Sequence, residues 1–217
     1  MWRLLTGQGA RDVFVGALAL VTFVAVVRGQ SPQAFVPLFD GTLKGWVVEN
    51  TTAGNFTIND KVLRVEGPSG WLRSDGQYID FTLRVQFRFM TADADSGIFF
   101  RTAGTTPFMR GWPNNSYQVQ LRNPATQSRL PAVGGLFRHG MPPGDISFDQ
   151  PAVERLSRGT GEWQDLELAV SGETLTVRFN GTEVTRAGNI IRQSGHIGIQ
   201  AEVGSLEFRS IAIAVQP

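Results

Sequence analysis

Apolar and polar residues alternate with a period of two along three stretches of this chain. From Thr82 to Phe89, Leu83, Val85, Phe87 and Phe89 alternate with Thr82, Arg84, Gln86 and Arg88. From Tyr117 to Arg122, Tyr117, Val119 and Leu121 alternate with Gln118, Gln120 and Arg122, and from His196 to Glu202, Ile197, Ile199 and Ala201 alternate with His196, Gly198, Gln200 and Glu202. A strand sends successive side chains to opposite faces, so each stretch reads as a half-buried strand. Together they predict a sheet whose non-core face carries Arg, Gln and Glu, a set of donors and acceptors suited to a polyhydroxylated ligand.

Further strands are expected near Phe56–Ile58, Val62–Glu66, Trp71–Arg73, Phe81–Met90, Gly97–Thr102, Ser116–Arg122, Leu136–Arg138, Gln164–Ser171, Thr174–Asn180 and Leu206–Val215. Turn residues separate them at Asn59-Asp60, Gly67-Pro68, Asp95-Ser96-Gly97, Ser171-Gly172 and Asn180-Gly181. The runs Leu166–Val170 and Leu175–Phe179, joined by a short Gly-containing turn, predict a hairpin. Ala152–Leu156 could form one helical turn. The Pro- and Gly-rich stretch from Asn123 to Gly161 reads as loops at a sheet rim, where functional groups are often carried.

With 217 residues, 41% of them hydrophobic, and 25 glycines, the chain can bury a sizeable core in an all-β domain. Arg3 and Arg11 precede an apolar stretch from Val13 to Val27, followed by Arg28, Gly29 and Gln30. That order predicts a signal peptide over residues 1–29, cut after Gly29, or else an uncleaved N-terminal anchor. A single domain over 30–217 follows. Without residues 1–29 the charged residues are 17 basic against 18 acidic, since three of 20 and one of 19 are removed. No basic excess remains to neutralise phosphates, so nucleic acid is not an expected partner, and a membrane is one only if the first segment is retained. The lack of cysteine excludes disulfides, thiolate metal sites and a catalytic thiol. Neither a nucleophile elbow, nor a phosphate-cradling Gly loop, nor a His pair at zinc spacing is present.

Leu38-Phe39-Asp40-Gly41, Gly45-Trp46, Tyr78, Asp80-Phe81, Asp95-Ser96-Gly97-Ile98, Arg101 and Tyr117–Asn123 follow one another in order. Gly161-Glu162-Trp163, Phe179-Asn180-Gly181, Gly195–Gln200 and Phe208–Ile213 complete the series. From about Phe35 to Val215 this resembles the 3-keto-disaccharide hydrolase family. The resemblance implies a concanavalin-like jelly-roll β-sandwich of two antiparallel sheets, ligands on a concave face and a bacterial source; with the leader read at 1–29, export to the periplasm or exterior is expected. It also implies cleavage of glycosides oxidised to a ketone at sugar carbon 3. That ketone acidifies the carbon 2 proton, so a base can remove it and the carbon 1 substituent can leave. Such a site needs a base, a group that polarises the ketone oxygen and a donor to the leaving oxygen, rather than the paired carboxylates of ordinary glycosidases.

Relatives often carry acids where this chain has Gln86, Gln118 and Asn123; Gln164 stands where Asn is usual, and Asp95 where Asn often begins the Ser-Gly pair. Amides are not bases near neutral pH and bind hard cations poorly. The expected catalytic residues are Glu202, His139 and Arg101, with Glu202 or a histidine as base. Gln86, Arg88, Gln118, Gln120, Gln200 and Trp112 are expected to contact carbohydrate, Trp112 by stacking from an exposed position. His196 is expected to be exposed. A divalent cation such as calcium is compatible with the reading, with no ligand set assigned, and the oligomeric state is left open. The alternative function is a non-catalytic glycan-binding module of the cell envelope.

Overall fold

A computed structural model describes residues 34–102, 111–126 and 128–216. The expected leader or anchor at 1–29 lies outside the described residues. Among the described residues, no helix is long and apolar enough to cross a membrane.

In chain order the strands are β1 (Val36–Phe39), β2 (Trp46–Glu49), β3 (Phe56–Asn59), β4 (Val62–Glu66), β5 (Gly70–Tyr78), β6 (Phe81–Phe89), β7 (Gly97–Thr102) and β8 (Ser116–Gln120). After them come β9 (Leu136–His139), β10 (Ile146–Phe148), the helix α1 (Gln150–Leu156), β11 (Gln164–Ser171), β12 (Thr174–Phe179), β13 (Thr182–Ala187), β14 (Gly195–Ala201) and β15 (Ser205–Val215). The larger sheet runs β10-β13-β12-β11-β6-β15-β4-β3, with β1 also on β15. The smaller runs β2-β5-β14-β7-β8-β9. Every pairing is antiparallel. The expected jelly-roll sandwich is the observed architecture.

The alternation explains why the sheets face each other. Leu83, Val85, Phe87 and Phe89 of β6 meet Ile98 and Phe100 of β7, Tyr117 and Val119 of β8, and Ile197 and Ile199 of β14 in one buried cluster. Each such side chain contributes roughly 1.5–3 kcal/mol when fully buried, so the interface between the sheets dominates stability. The expected hairpin forms as read, with Leu166 opposite Phe179 and Val170 opposite Leu175. The next turn joins β12 to β13 through Asn180 (φ 47°) and Gly181 (φ 86°), a left-handed pair matched to strand twist. The helical turn expected at Ala152 extends to Gln150–Leu156, capped by Asp149, whose carboxylate accepts from Ala152 N–H at 2.9 Å. Part of the stretch read as rim loops is thus ordered as β9, β10 and α1.

One expectation is corrected. The polar faces of Thr82–Phe89, Tyr117–Arg122 and His196–Glu202 are not one face. β6 belongs to the larger sheet, β8 and β14 to the smaller, so the polar residues lie on opposite outsides of the sandwich. A period of two assigns residues to a face of their own strand and is silent on which sheet the strand joins.

Candidate functional site

On the outer face of the smaller sheet, β8 supplies Gln118 and Gln120, β14 supplies Gln200 with Glu202 just beyond it, and β9 supplies Phe137 and His139. Asp95 reaches the same place from the loop before β7, where its backbone bridges to Val203. With Trp112, Leu130, Arg138 and Gly140 they line a cleft of about 360 Å³. Behind it Trp71, Phe99 and Trp112 pack as a small aromatic cluster apart from the main core. Gly198 lets the Trp71 ring lie on the strand, since a Cβ there would stand 2.7 Å from the ring's Cζ3.

Gly97 makes the corresponding room for Gln118: a Cβ would stand 2.6 Å from Gln118 Cγ and collide with its amide. Gly97→Ala should therefore cost about 1–3 kcal/mol, as overpacked interiors do. Denaturant unfolding measures that cost, and an unchanged midpoint would mean the Gln118 side chain does not occupy this position.

The polar groups of the cleft form one branched relay. Gln120 donates to Asp95 Oδ1 at 2.6 Å, and Gln200 donates to Glu202 Oε2 at 3.1 Å. Gln118 Nε2 donates to Gln120 Oε1 at 2.7 Å and to Gln200 Oε1 at 2.8 Å, while its Oε1 lies 2.7 Å from His139 Nε2. The three amides are only 1–3% exposed. Buried amides stay in place only when paired, and here each is paired.

His139 sits among aromatic rings. Phe99 meets it edge-on with ring centres 5.9 Å apart, Phe137 stacks at 6.2 Å, and Trp112 lies tilted at 6.2 Å. Burial in this setting lowers its pKa below the ordinary 6.5. The imidazole is therefore neutral at pH 7 and available as a base.

The cleft brings together most of the expected residues: Glu202, His139, Gln118, Gln120, Gln200 and Trp112. Trp112 is 9% exposed, packed with its neighbours rather than standing out from the surface as expected. Three expected residues lie elsewhere. Arg101 is fully buried and turned into the protein, bonded to Asp80 and to the carbonyls of Ile79, Ile190 and Ile191. Its φ of 50° forms a bulge that re-aims a side chain which regular alternation would have sent to the cleft face.

Gln86 and Arg88 lie on the outer face of the larger sheet. Gln86 donates to Asp165 at 2.8 Å and Arg88 pairs with Glu207 at 2.6 Å. A groove of about 420 Å³ runs over that face, crossed by cross-strand ion pairs such as Arg84–Glu167 at 2.8 Å. His196 is half-buried, its Nδ1 2.8 Å from Ser74 O. Asp95 is the site residue that sequence reasoning passed over; its signal was the Asp-Ser-Gly turn leading into β7. Among the described residues, no three His, Cys, Asp or Glu side chains converge as a metal site. The Gln120 and Gln200 oxygens are already committed to Gln118, so this donor set does not fit a hard cation as it stands.

The sequence model of the 3-keto-alpha-glucoside-1,2-lyase-like domain matches residues 34–214. The chain belongs to this family. The family is carbohydrate-active and glycosyl-hydrolase-like. No curated protein matches the sequence. Among solved structures, a protein described as a glycosyl hydrolase from Parabacteroides distasonis is similar over 84% of this chain and 100% of its own, at 19% identity and a TM-score of 0.66. LamA from Zobellia galactanivorans, solved with laminaritriose and laminaritetraose, is 10% identical with a TM-score of 0.53, over 79% of this chain and 92% of that one. The carbohydrate-binding module CBM66 from Bacillus subtilis is 12% identical with a TM-score of 0.50, over 78% and 95%. These likenesses are of fold, a jelly roll shared by glucanases and sugar-binding modules alike.

Proposed function

We propose that this protein cleaves 3-keto-glycosides by removing the carbon 2 proton, with His139 as the base. The observation that carries the reading is a half-buried imidazole, its pKa lowered by desolvation, in a cleft that also presents three amides and two carboxylates. His139 takes the proton, and the pair from the broken C–H bond forms an enolate onto the ketone oxygen. The enolate collapses to the ketone as a C1=C2 double bond forms and the carbon 1 oxygen departs, taking the proton back from the imidazolium as an alcohol. Water adds across the resulting enone at carbon 1, so the sum is hydrolysis. Gln120 and Gln200 each carry a second N–H beyond the relay, donors for a sugar or ketone oxygen, while Asp95 and Glu202 accept from sugar hydroxyls. The composition of residues 1–29 supports an exported enzyme, and cell fractionation tests that.

The deciding experiment is release of the leaving alcohol from a 3-keto-glucoside, beside the unoxidised glucoside and with a chelator added. Turnover of the oxidised sugar alone is the expected result. Binding of either sugar without turnover would favour the second reading, a glycan-binding module, which the three amides at positions where relatives often carry acids support. Glu202→Gln should lower kcat/KM about tenfold or more, the scale of a lost hydrogen bond to a charged group.

A further inference from the structure

We propose that Gln118 is a positioning residue: it holds His139 as the Nε2–H tautomer, so that Nδ1 is the atom that accepts the substrate proton. The inference rests on the proposed function for its role, and on the hydrogen-bond relay for its geometry.

The relay is fixed from its two carboxylate ends. Ionised carboxylates only accept, so Gln120 and Gln200 must turn their NH₂ groups to Asp95 and Glu202. Their carbonyl oxygens then face Gln118, at 2.7 and 2.8 Å. Two acceptors at those distances require the Gln118 NH₂, and both of its hydrogens are used. Only the Gln118 oxygen is left for His139, 2.7 Å from Nε2, so Nε2 must bear the hydrogen. Turning any one amide over would set like groups against each other within hydrogen-bond distance. Asp95 and Glu202 therefore determine the His139 tautomer through the relay.

The amide has an electrostatic consequence as well. A carboxylate at 118 could also accept from Nε2–H, but it would stabilise the imidazolium and raise the basicity of the ring. Gln118 orders the ring without adding charge. Of the charged side chains described around the cleft, Arg138 donates to the carbonyls of Pro142, Gly188 and Asn189. Asp95 accepts from Gln120 and lies 3.9 Å from Arg122 Nη1, Glu202 accepts from Gln200, and Arg73 on β5 pairs with Glu49 at 2.8 Å.

The second histidine supplies an internal reference. His196 Nδ1 lies 2.8 Å from Ser74 O and 3.2 Å from Gly76 O, so it carries its hydrogen on Nδ1, and Nε2 accepts from Gln77 at 3.2 Å. The Arg73 Nη1 contact with that Nδ1, at 3.4 Å, then brings two donors together and is not a hydrogen bond. The chain has two histidines, and they carry opposite tautomers.

Long-range ¹H–¹⁵N correlation of the imidazole rings in the ¹⁵N-labelled, substrate-free protein reads both at once. Expected is Nε2–H at His139 and Nδ1–H at His196; Nδ1–H at His139 overturns the assignment whether or not the protein turns over. The role in the reaction is read from kcat/KM against pH on the 3-keto-glucoside. Gln118→Glu should move the acid limb up by about one pH unit or more. Gln118→Met should mix the His139 tautomers and lower kcat about tenfold with KM little changed, the scale of one neutral hydrogen bond. An acid limb that stays in place in Gln118→Glu overturns the positioning role. Absence of turnover in the parent protein would instead sink the proposed reaction, with the tautomer decided separately by the spectra.

Discussion

Replacing His139 with Asn is expected to lower turnover of a 3-keto-glucoside by about 10²–10⁴, the range of a lost general base, while the sugar still binds. Asn is the informative replacement because it is polar and smaller than the ring it replaces and lacks the basic nitrogen. The pH dependence has a definite sign. Burial lowers the folded-state pKa below 6.5, so the base is free of its proton at neutrality and activity is lost only as pH falls through that lower value. The acid limb of kcat/KM should therefore have its midpoint below 6.5. Stability moves the same way. Between the two values the unfolded chain binds a proton that the folded protein does not, so stability declines as pH falls from about 6.5 toward the folded pKa. His139→Asn removes that slope. A variant with parental turnover would exclude His139 and return the base to Glu202, the other candidate in the cleft.

How far the sequence carried this site differs residue by residue. Gln118, Gln120 and Gln200 could be grouped because strict alternation places them on the non-core face of β8 and β14, and those strands share a sheet. Gln86 and Arg88 show the same alternation on β6, yet sheet membership is decided by long-range pairing that the local pattern does not encode. Arg101 was misplaced by a single residue in a left-handed conformation, and no glycine marked the bulge. Asp95 was missed because it lies outside any strand and joins the site through a bridge to Val203. For the fold, β13 escaped notice because only Val184, Thr185 and Ala187 of Thr182–Ala187 are buried, leaving too few apolar residues to set a period. β1 and β2 are four residues each, too short for alternation to stand out. The hairpin of β11 and β12 was plain because its two apolar runs and its turn agree.

The second large effect concerns stability, at the residue that left the site. Arg101→Met should destabilise the fold by about 3–5 kcal/mol, the cost of breaking a buried ion pair by removing one partner. In a domain of this size that lowers the melting temperature on the order of 10 °C. The guanidinium is fully buried; it pairs with Asp80 Oδ1 at 2.8 Å and donates to the carbonyls of Ile79, Ile190 and Ile191 at 2.9, 3.3 and 2.9 Å. Methionine fills a similar volume and satisfies none of them. Asp80 is the centre of the arrangement: it also accepts from Arg192 at 2.8 Å and from Gly172 N–H at 3.0 Å. Burial alone would raise the Asp80 pKa. The Arg192 and Gly172 hydrogen bonds, with the charges of Arg192 and Arg101, outweigh it and hold the carboxyl below its usual 3.8. Its contribution is therefore complete above the unfolded pKa and lost as pH falls through the lower folded value, and Arg101→Met should narrow that acid window. Arg101→Lys keeps a charge but cannot reach four acceptors with a planar fork, so its loss should fall between the parent and the Met variant. Because Arg101 does not line the cleft, turnover per folded molecule, measured well below the melting temperature, should stay at the parental level. Lost turnover in a fully folded Arg101→Met protein would return this arginine to the reaction.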